Sequence, residues 1–310
     1  MKVLVPNTLE FDFAIDGDMV TYDVREPIPD EHTDADVLVV WGNSAKGLKV
    51  IAPQLTEVKL VQSLMAGAES VLTAGFREEA VLANGVGLHD RTVSEHALAL
   101  TLALVRKLPR LHDRKIRHEW DDELAFRSPL YTKPVSTLLG SNVLIWGFGS
   151  IAKTLAPMLE TLGANVRGVA RSAGERAGFE VVAESDMDAA LGEADILIMI
   201  LPSTPETDDA LGRETIAKLQ HRALVVNVGR GSTVDEDALL EALVTGKIAG
   251  AAIDVMKHEP LPVEDPLWSA PNLIITPHAA GGRPVGYEDL IMRQLRALDE
   301  GTELENVLER

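Results

Sequence analysis

An arginine set between glycines, a glutamate before a proline and a histidine after a proline occur in that order in the last third of the chain. Each closely follows a short apolar run: Asn227-Val228-Gly229-Arg230-Gly231, Asp254-Val255-Met256-Lys257-His258-Glu259-Pro260-Leu261, and Thr276-Pro277-His278-Ala279-Ala280-Gly281. An arginine at a strand end can point its planar fork into a crevice and hold a carboxylate and an adjacent oxo group together. Reducing such a carbonyl needs a proton as well as a hydride, and histidine is the natural donor near neutral pH. A neighbouring carboxylate favours the imidazolium and orients it, which makes Glu259 and His278 the candidate pair. Taken singly, each residue has an ordinary structural use, and spacing alone does not bring the three within reach of one another.

A second constellation lies upstream. The run Val143-Leu144-Ile145-Trp146 leads straight into Gly147-Phe148-Gly149-Ser150-Ile151-Ala152, a G-x-G-x-x-A pattern opening a helix. Gly147 permits the tight turn, Gly149 lets the backbone approach a pyrophosphate, and Ala152 is small enough for the helix to pack on the strand. The helix N-terminus then offers N–H groups and a partial positive charge to phosphate. Where a dinucleotide enzyme specific for NAD usually carries an acid, about 20 residues on, this chain has Ala170-Arg171-Ser172. Loss of the acid removes repulsion of a ribose 2′-phosphate. Arg171 can pair with that phosphate and Ser172 can donate to it, with Arg176 as a helper, so NADP is the expected cofactor and NAD a lesser one.

The elements that must position these residues follow from periodicity. From Asn142 onward, apolar runs at 142–146, 165–169, 196–200, 223–227, 250–254 and 273–275 alternate with helical stretches such as 151–162 and 235–245, which describes a doubly wound parallel sheet. The first ninety residues show a shorter βα alternation, with strands at 37–40 and 60–63 followed by loops at 42–44 and 65–68. Between the two regions lies a helix predicted to start with Ser94 as N-cap and to end at Lys107 before Pro109. It is apolar around much of its circumference and is the expected dimer face. Residues 112–135 read as an exposed polar excursion. The amphipathic stretch Tyr287–Glu300 is expected to pack back on the N-terminal domain.

A chain of 310 residues has room for about two domains. The net charge of −19 argues against nucleic acid and anionic membranes as partners, so an anionic substrate requires a local positive patch. There is no cysteine, which excludes disulfides and thiolate metal sites, and no metal site is expected. The opening run is too short for a signal peptide or a membrane span, and a cytoplasmic location is expected.

Taken in order, these segments resemble the D-isomer-specific 2-hydroxyacid dehydrogenase family along nearly the whole chain. The match includes Asn-Val-Gly-Arg-Gly with Val234-Asp235, Asp254-Val255 with Glu259-Pro260-Leu261, Pro266-Leu267-Trp268, the Thr276–Gly281 segment, and Glu95-His96 in the long helix. The resemblance implies an α/β fold of two doubly wound parallel-sheet domains. A Rossmann dinucleotide domain, residues 94–283, is inserted into a smaller flavodoxin-like substrate domain made of 1–93 and 284–310. It implies catalytic roles for Arg230, Glu259 and His278, and a nicotinamide site formed by Leu201, Pro202, Val228, Gly229, Asp254 and Ala280, with Asp254 holding the carboxamide. The backbone of Ala66, Gly67 and Ala68 would bind the substrate carboxylate. Trp41 either walls that pocket or belongs to the core. Met65 stands where the family often has glycine, which would narrow the pocket. The absent acid and the short chain point to the glyoxylate/hydroxypyruvate reductase branch, an NADP-preferring 2-oxoacid reductase working as a homodimer. D-3-phosphoglycerate or D-lactate remains an alternative substrate, the former calling on Arg283. A dinucleotide-sensing corepressor is the alternative outside enzymes.

Overall fold

A computed structural model describes residues 1–15, 17–126 and 135–310. The chain divides into two compact units, Met1–His89 with Arg283–Arg310, and Asp90–Gly282.

In the first unit, β1 (Lys2–Pro6), β2 (Asp18–Tyr22), β3 (Val37–Val40), β4 (Leu60–Ser63) and β5 (Val81–Ala83) form a parallel sheet in the order β2-β1-β3-β4-β5. The all-apolar Val37-Leu38-Val39-Val40 is buried throughout, as a parallel strand covered on both faces must be. Ser44 caps the helix Ala45–Ile51 by accepting from the Gly47 N–H at 3.0 Å. The C-terminal helix Tyr287–Glu300 buries Leu290, Ile291 and Leu295 against Val3, Val5, Val39 and Leu60, the expected return to the N-terminal sheet.

The second unit carries β6 (Asn142–Trp146), β7 (Asn165–Ala170), β8 (Gly174–Arg176), β9 (Phe179–Ala183), β10 (Ile196–Met199), β11 (Leu224–Asn227), β12 (Gly250–Ile253) and β13 (Leu273–Ile275). Their order is β13-β12-β11-β10-β6-β7-β9-β8, parallel except for the β8–β9 hairpin. All six strands expected from the apolar runs are present. Alternate residues feed opposite layers: Val143 and Ile145 face the cluster with Leu155 and Leu159, while Leu144 and Trp146 face the one with Leu191 and Leu239. Such fully buried apolar side chains each contribute about 1.5–3 kcal/mol. The order reverses between β6 and β10, the switch point at which open α/β sheets bind ligands beyond their carboxyl ends.

Several expectations are corrected. The hairpin β8–β9 was not anticipated, because its turn is Ala177-Gly178 with φ of 53° and 84° instead of an Asn-Gly signature. The long helix spans Asp90–Val105, so Ser94 is not its cap. Ser94 is buried inside the helix and its hydroxyl donates to the Ile151 carbonyl at 3.1 Å. This tie lies within the second compact unit, Asp90–Gly282. Ala97, Leu100, Leu104 and Val105 of this helix are covered within the unit, in a cluster shared with the helix Ser150–Thr161. Pro109 does not end helical structure. Lys107, at φ 56°, breaks the chain direction, and Pro109 opens a new helix, Leu108–Ile116. The polar excursion is thus partly helical, with a further short helix at Asp122–Phe126. Its residues 127–134 lie outside the described residues. Among the described residues, no helix is long and apolar enough to cross a membrane.

Candidate active site

The glycine-rich loop joins β6 to the helix Ser150–Thr161. Gly147 has φ 98°, and a Cβ there would lie 2.5 Å from the Ile200 carbonyl oxygen, so only glycine fits. A Cβ on Gly149 would meet nothing within 4 Å, leaving the loop's outer side open to a phosphate group. No side chain caps the helix that follows. Its N-terminal N–H groups are the ones a pyrophosphate would engage. Ala152 is fully buried against the sheet, and Ile151 is half-buried. The Ser150 hydroxyl donates to Asp90 Oδ1 at 2.9 Å. Phe148, expected in the cofactor site, turns its ring inward. The ring is 2 % exposed, packs on Phe179 with centroids 6.2 Å apart, and fills the space a Cβ on Gly168 would take.

Arg171 and Ser172 follow β7 and are exposed. Arg176, carried by β8, donates through Nη2 to the Ser172 carbonyl at 3.1 Å and hydroxyl at 3.0 Å, and through Nη1 to the Phe148 carbonyl at 3.3 Å. The unanticipated hairpin therefore ties the glycine-rich loop to the residues that would meet a 2′-phosphate. The exposed Glu206 carboxyl is held below its usual range by its own backbone N–H and the Thr204 hydroxyl, with attraction from Arg171 added.

The loops after β10, β11 and β12 touch backbone to backbone. A Cβ on Gly229 would lie 2.7 Å from both the N and O of Leu201, and one on Gly231 would lie 2.0 Å from the Met256 carbonyl. Leu201 and Val228 are buried in this contact and Pro202 is exposed. Between the two glycines Arg230 is half-buried, with Nη1 donating to the Gly229 carbonyl at 2.8 Å.

Glu259 and His278 meet because β12 and β13 are parallel neighbours, with Ile253 opposite Ile275. The loops leaving both strands emerge at the same end. His278 Nδ1 lies 2.7 Å from Glu259 Oε2, and Glu259 Oε1 accepts from the Met256 N–H at 2.9 Å. The carboxylate is thereby oriented and in turn orients the ring. The His278 side chain is 45 % exposed, so its far edge is accessible to a reactant. Its backbone is left-handed, φ 53°, and its N–H donates to the Asp254 carbonyl at 2.7 Å. A cavity of about 590 Å³ lies beside the pair, walled by Met256, Leu261, Trp268, Ile275 and Pro277.

Asp254 does not face that cavity. Its side chain is 0 % exposed, and its oxygens accept from the Thr276 hydroxyl at 2.5 Å and from the Ala279 and Ala280 N–H groups at 2.9 Å each. Asp254 thereby holds the turn that carries His278. Ala280 is buried in the same turn. His96, which the sequence reading gave no role, sits with its Nε2 3.0 Å from Thr276 Oγ1. Among the described residues, no group of three or more His, Cys, Asp or Glu side chains is placed to hold a metal ion.

In the first unit, Trp41 is half-buried and stacks on His89, with centroids 5.6 Å apart and rings 19° from parallel. His89 Nε2 is 2.8 Å from the Leu64 carbonyl, so this unforeseen histidine fixes both Trp41 and the chain entering the Met65–Ala68 loop. Ala66, Gly67 and Ala68 are half-buried, and Asn84 Nδ2 donates to the Ala66 carbonyl at 3.0 Å. Met65 is exposed, as is Arg283.

A switch-point sheet, a loop open to phosphate and an imidazole–carboxylate pair beyond the next strand ends define a nicotinamide-dinucleotide oxidoreductase. Comparison with known proteins agrees. The sequence pattern of the D-isomer specific 2-hydroxyacid dehydrogenase NAD-binding domain matches residues 98–280. The chain is 32% identical over 252 residues to a glyoxylate/hydroxypyruvate reductase B of Pectobacterium carotovorum, covering 77% of this chain and 74% of that protein. It is 30% identical over 296 residues to a glyoxylate/hydroxypyruvate reductase A of Escherichia fergusonii, covering 93% and 90%. Among solved structures, the NADPH-dependent glyoxylate/hydroxypyruvate reductase of Sinorhizobium meliloti in complex with NADP and sulfate superposes with a TM-score of 0.82 at 26% identity, covering 99% and 98% of the two chains. The chain belongs to the D-isomer-specific 2-hydroxyacid dehydrogenase family.

Proposed function

We propose that this protein is an NADPH-preferring reductase of small 2-oxo acids, of the glyoxylate and hydroxypyruvate class, that forms the D-2-hydroxy acid. The observation that carries the reading is the 2.7 Å pair of His278 and Glu259 at the strand ends next to the Arg230 loop. His278 is the acid in reduction and the base in the reverse direction. Glu259, bonded to Nδ1, fixes which nitrogen faces the substrate. Arg230 binds the carboxylate and the carbonyl oxygen, so positive charge from Arg230 and His278 converges on the oxygen that becomes anionic. When bound, the dinucleotide supplies the hydride for the carbonyl carbon. Gly149, Ser150 and the first turn of the following helix would hold its pyrophosphate, Arg171 and Ser172 its 2′-phosphate, and Leu201, Pro202, Val228, Gly229 and Ala280 its nicotinamide end. For the first unit, the Ala66–Ala68 segment would offer backbone N–H groups to a carboxylate, with Trp41 as a wall. The reading includes a cytoplasmic homodimer, the absence of cysteine fitting a reducing compartment.

Initial rates of NADPH and NADH oxidation with glyoxylate, hydroxypyruvate and pyruvate test this. Fast NADPH oxidation with either of the first two is expected. Turnover mainly with NADH would overturn the cofactor assignment, and binding of cofactor without turnover of any 2-oxo acid would overturn the reductase reading.

A further inference from the structure

The turn carrying His278 is tied to a helix nearly two hundred residues away in sequence. Thr276 Oγ1 lies 2.5 Å from Asp254 Oδ1 and 3.0 Å from His96 Nε2. His96 is on the helix Asp90–Val105, and its Nε2 is also 3.3 Å from Asp254 Oδ1. The proton positions follow by elimination. Both Asp254 oxygens already accept backbone N–H bonds, from Ala279 and Ala280, so the buried carboxylate acts as an acceptor. The single Thr276 hydroxyl proton therefore goes to Asp254, which leaves the Thr276 oxygen as an acceptor for His96. A lone pair on Nε2 would face both that oxygen and the carboxylate, so Nε2 carries a proton.

We propose that His96 is a positioning residue for the catalytic acid. Its Nε2–H orients the Thr276 hydroxyl towards Asp254, and the carboxylate so engaged gathers Thr276, Ala279 and Ala280 around His278. This matters because His278 has a positive φ, a strained conformation for a non-glycine residue that persists only when its surroundings enforce it. The His278 N–H contributes to that enforcement by donating to the Asp254 carbonyl at 2.7 Å and to the Thr276 carbonyl at 3.1 Å. The rest comes from its neighbours through the Asp254 carboxylate, and His96 and Thr276 complete the far side of that group. The proposal rests on the reading of His278 as the acid.

Two measurements separate the proposal from that reading. Long-range proton–nitrogen NMR correlations on the 15N-labelled protein, assigned with His96→Leu, should show His96 protonated at Nε2. A neutral Nδ1–H ring would overturn the proposal whatever the activity. In turnover with NADPH and glyoxylate, His96→Leu and Thr276→Val should each lower kcat by about 10-fold with both KM values within about 2-fold. The double variant should be no worse than the weaker single one, since the two act as one unit. His96→Gln, whose amide can donate to Thr276, should recover most of the loss. Unchanged kcat in His96→Leu, additive losses, or equal losses in His96→Leu and His96→Gln would overturn it. Absence of turnover in the unmodified protein would instead sink the reductase reading and leave the NMR result to decide the His96 bond.

Discussion

The two ends of the eight-stranded sheet are built to different tolerances. Beyond β12 and β13, His278 is held from several directions: Glu259 on its ring, the Asp254 carbonyl on its backbone, and the Asp254 carboxylate on the residues around it. Beyond β7, Arg171 and Ser172 are exposed, the Ser172 hydroxyl accepting from Arg176 and Arg171 attracting the exposed Glu206 carboxyl. The difference follows from what each end is asked to do. Proton transfer requires the donor within hydrogen-bond reach of the reacting atom, so small displacements are expensive in rate. Choosing between a 2′-hydroxyl and a 2′-phosphate needs only a net attraction, and Coulomb energy varies slowly with distance.

The comparison can be broken first at the tightly held end. His278→Ala should lower kcat by about 100-fold or more while leaving cofactor affinity nearly unchanged. Turnover close to that of the unmodified protein would show that the enforced geometry serves something other than acid catalysis. Glu259→Gln is a finer cut, because its amide oxygen can still accept the Met256 N–H while the charge is lost. A fall in kcat of about 10-fold is expected, from a ring still oriented but without a carboxylate's charge beside it. If the variant matches the unmodified enzyme in stopped-flow single turnovers, Glu259 contributes orientation alone.

The same contrast governs how much could be read before the structure. Strands β6, β10, β11 and β12 were legible because both faces of a parallel sheet are covered and their residues are apolar without interruption. Gly147 and Gly149 were legible because a phosphate loop imposes its own spacing. Glu259 and His278 were named but could not be paired, since the register of Ile253 against Ile275 is a tertiary fact. Ser94 misled because a serine that satisfies its hydroxyl on the Ile151 carbonyl looks, in sequence, like one that caps a helix. The hairpin at residues 174–183 was hidden by an Ala-Gly turn, and with it the bond from Arg176 to the glycine-rich loop. The link between Asp254 and His96 is a contact across more than 150 residues, for which periodicity carries no signal.

The smallest effect is expected where the structure is loosest. Arg171→Ala removes one exposed charge, and exposed ion pairs contribute about 1 kcal/mol or less, so the ratio of kcat/KM for NADPH over NADH should fall only about 5-fold. The loss should come from the NADPH side, with NADH turnover unchanged, because a 2′-hydroxyl offers the guanidinium no charge to attract. The ratio in the unmodified protein should also decline as salt is raised through the range where the screening length drops below about 8 Å. A ratio that neither the substitution nor salt moves would make Arg171 a surface residue and place cofactor choice on the more firmly held Arg176. A collapse of NADPH turnover by orders of magnitude would break the comparison itself, since it would mean that the cofactor end of the sheet is as exacting as the catalytic end.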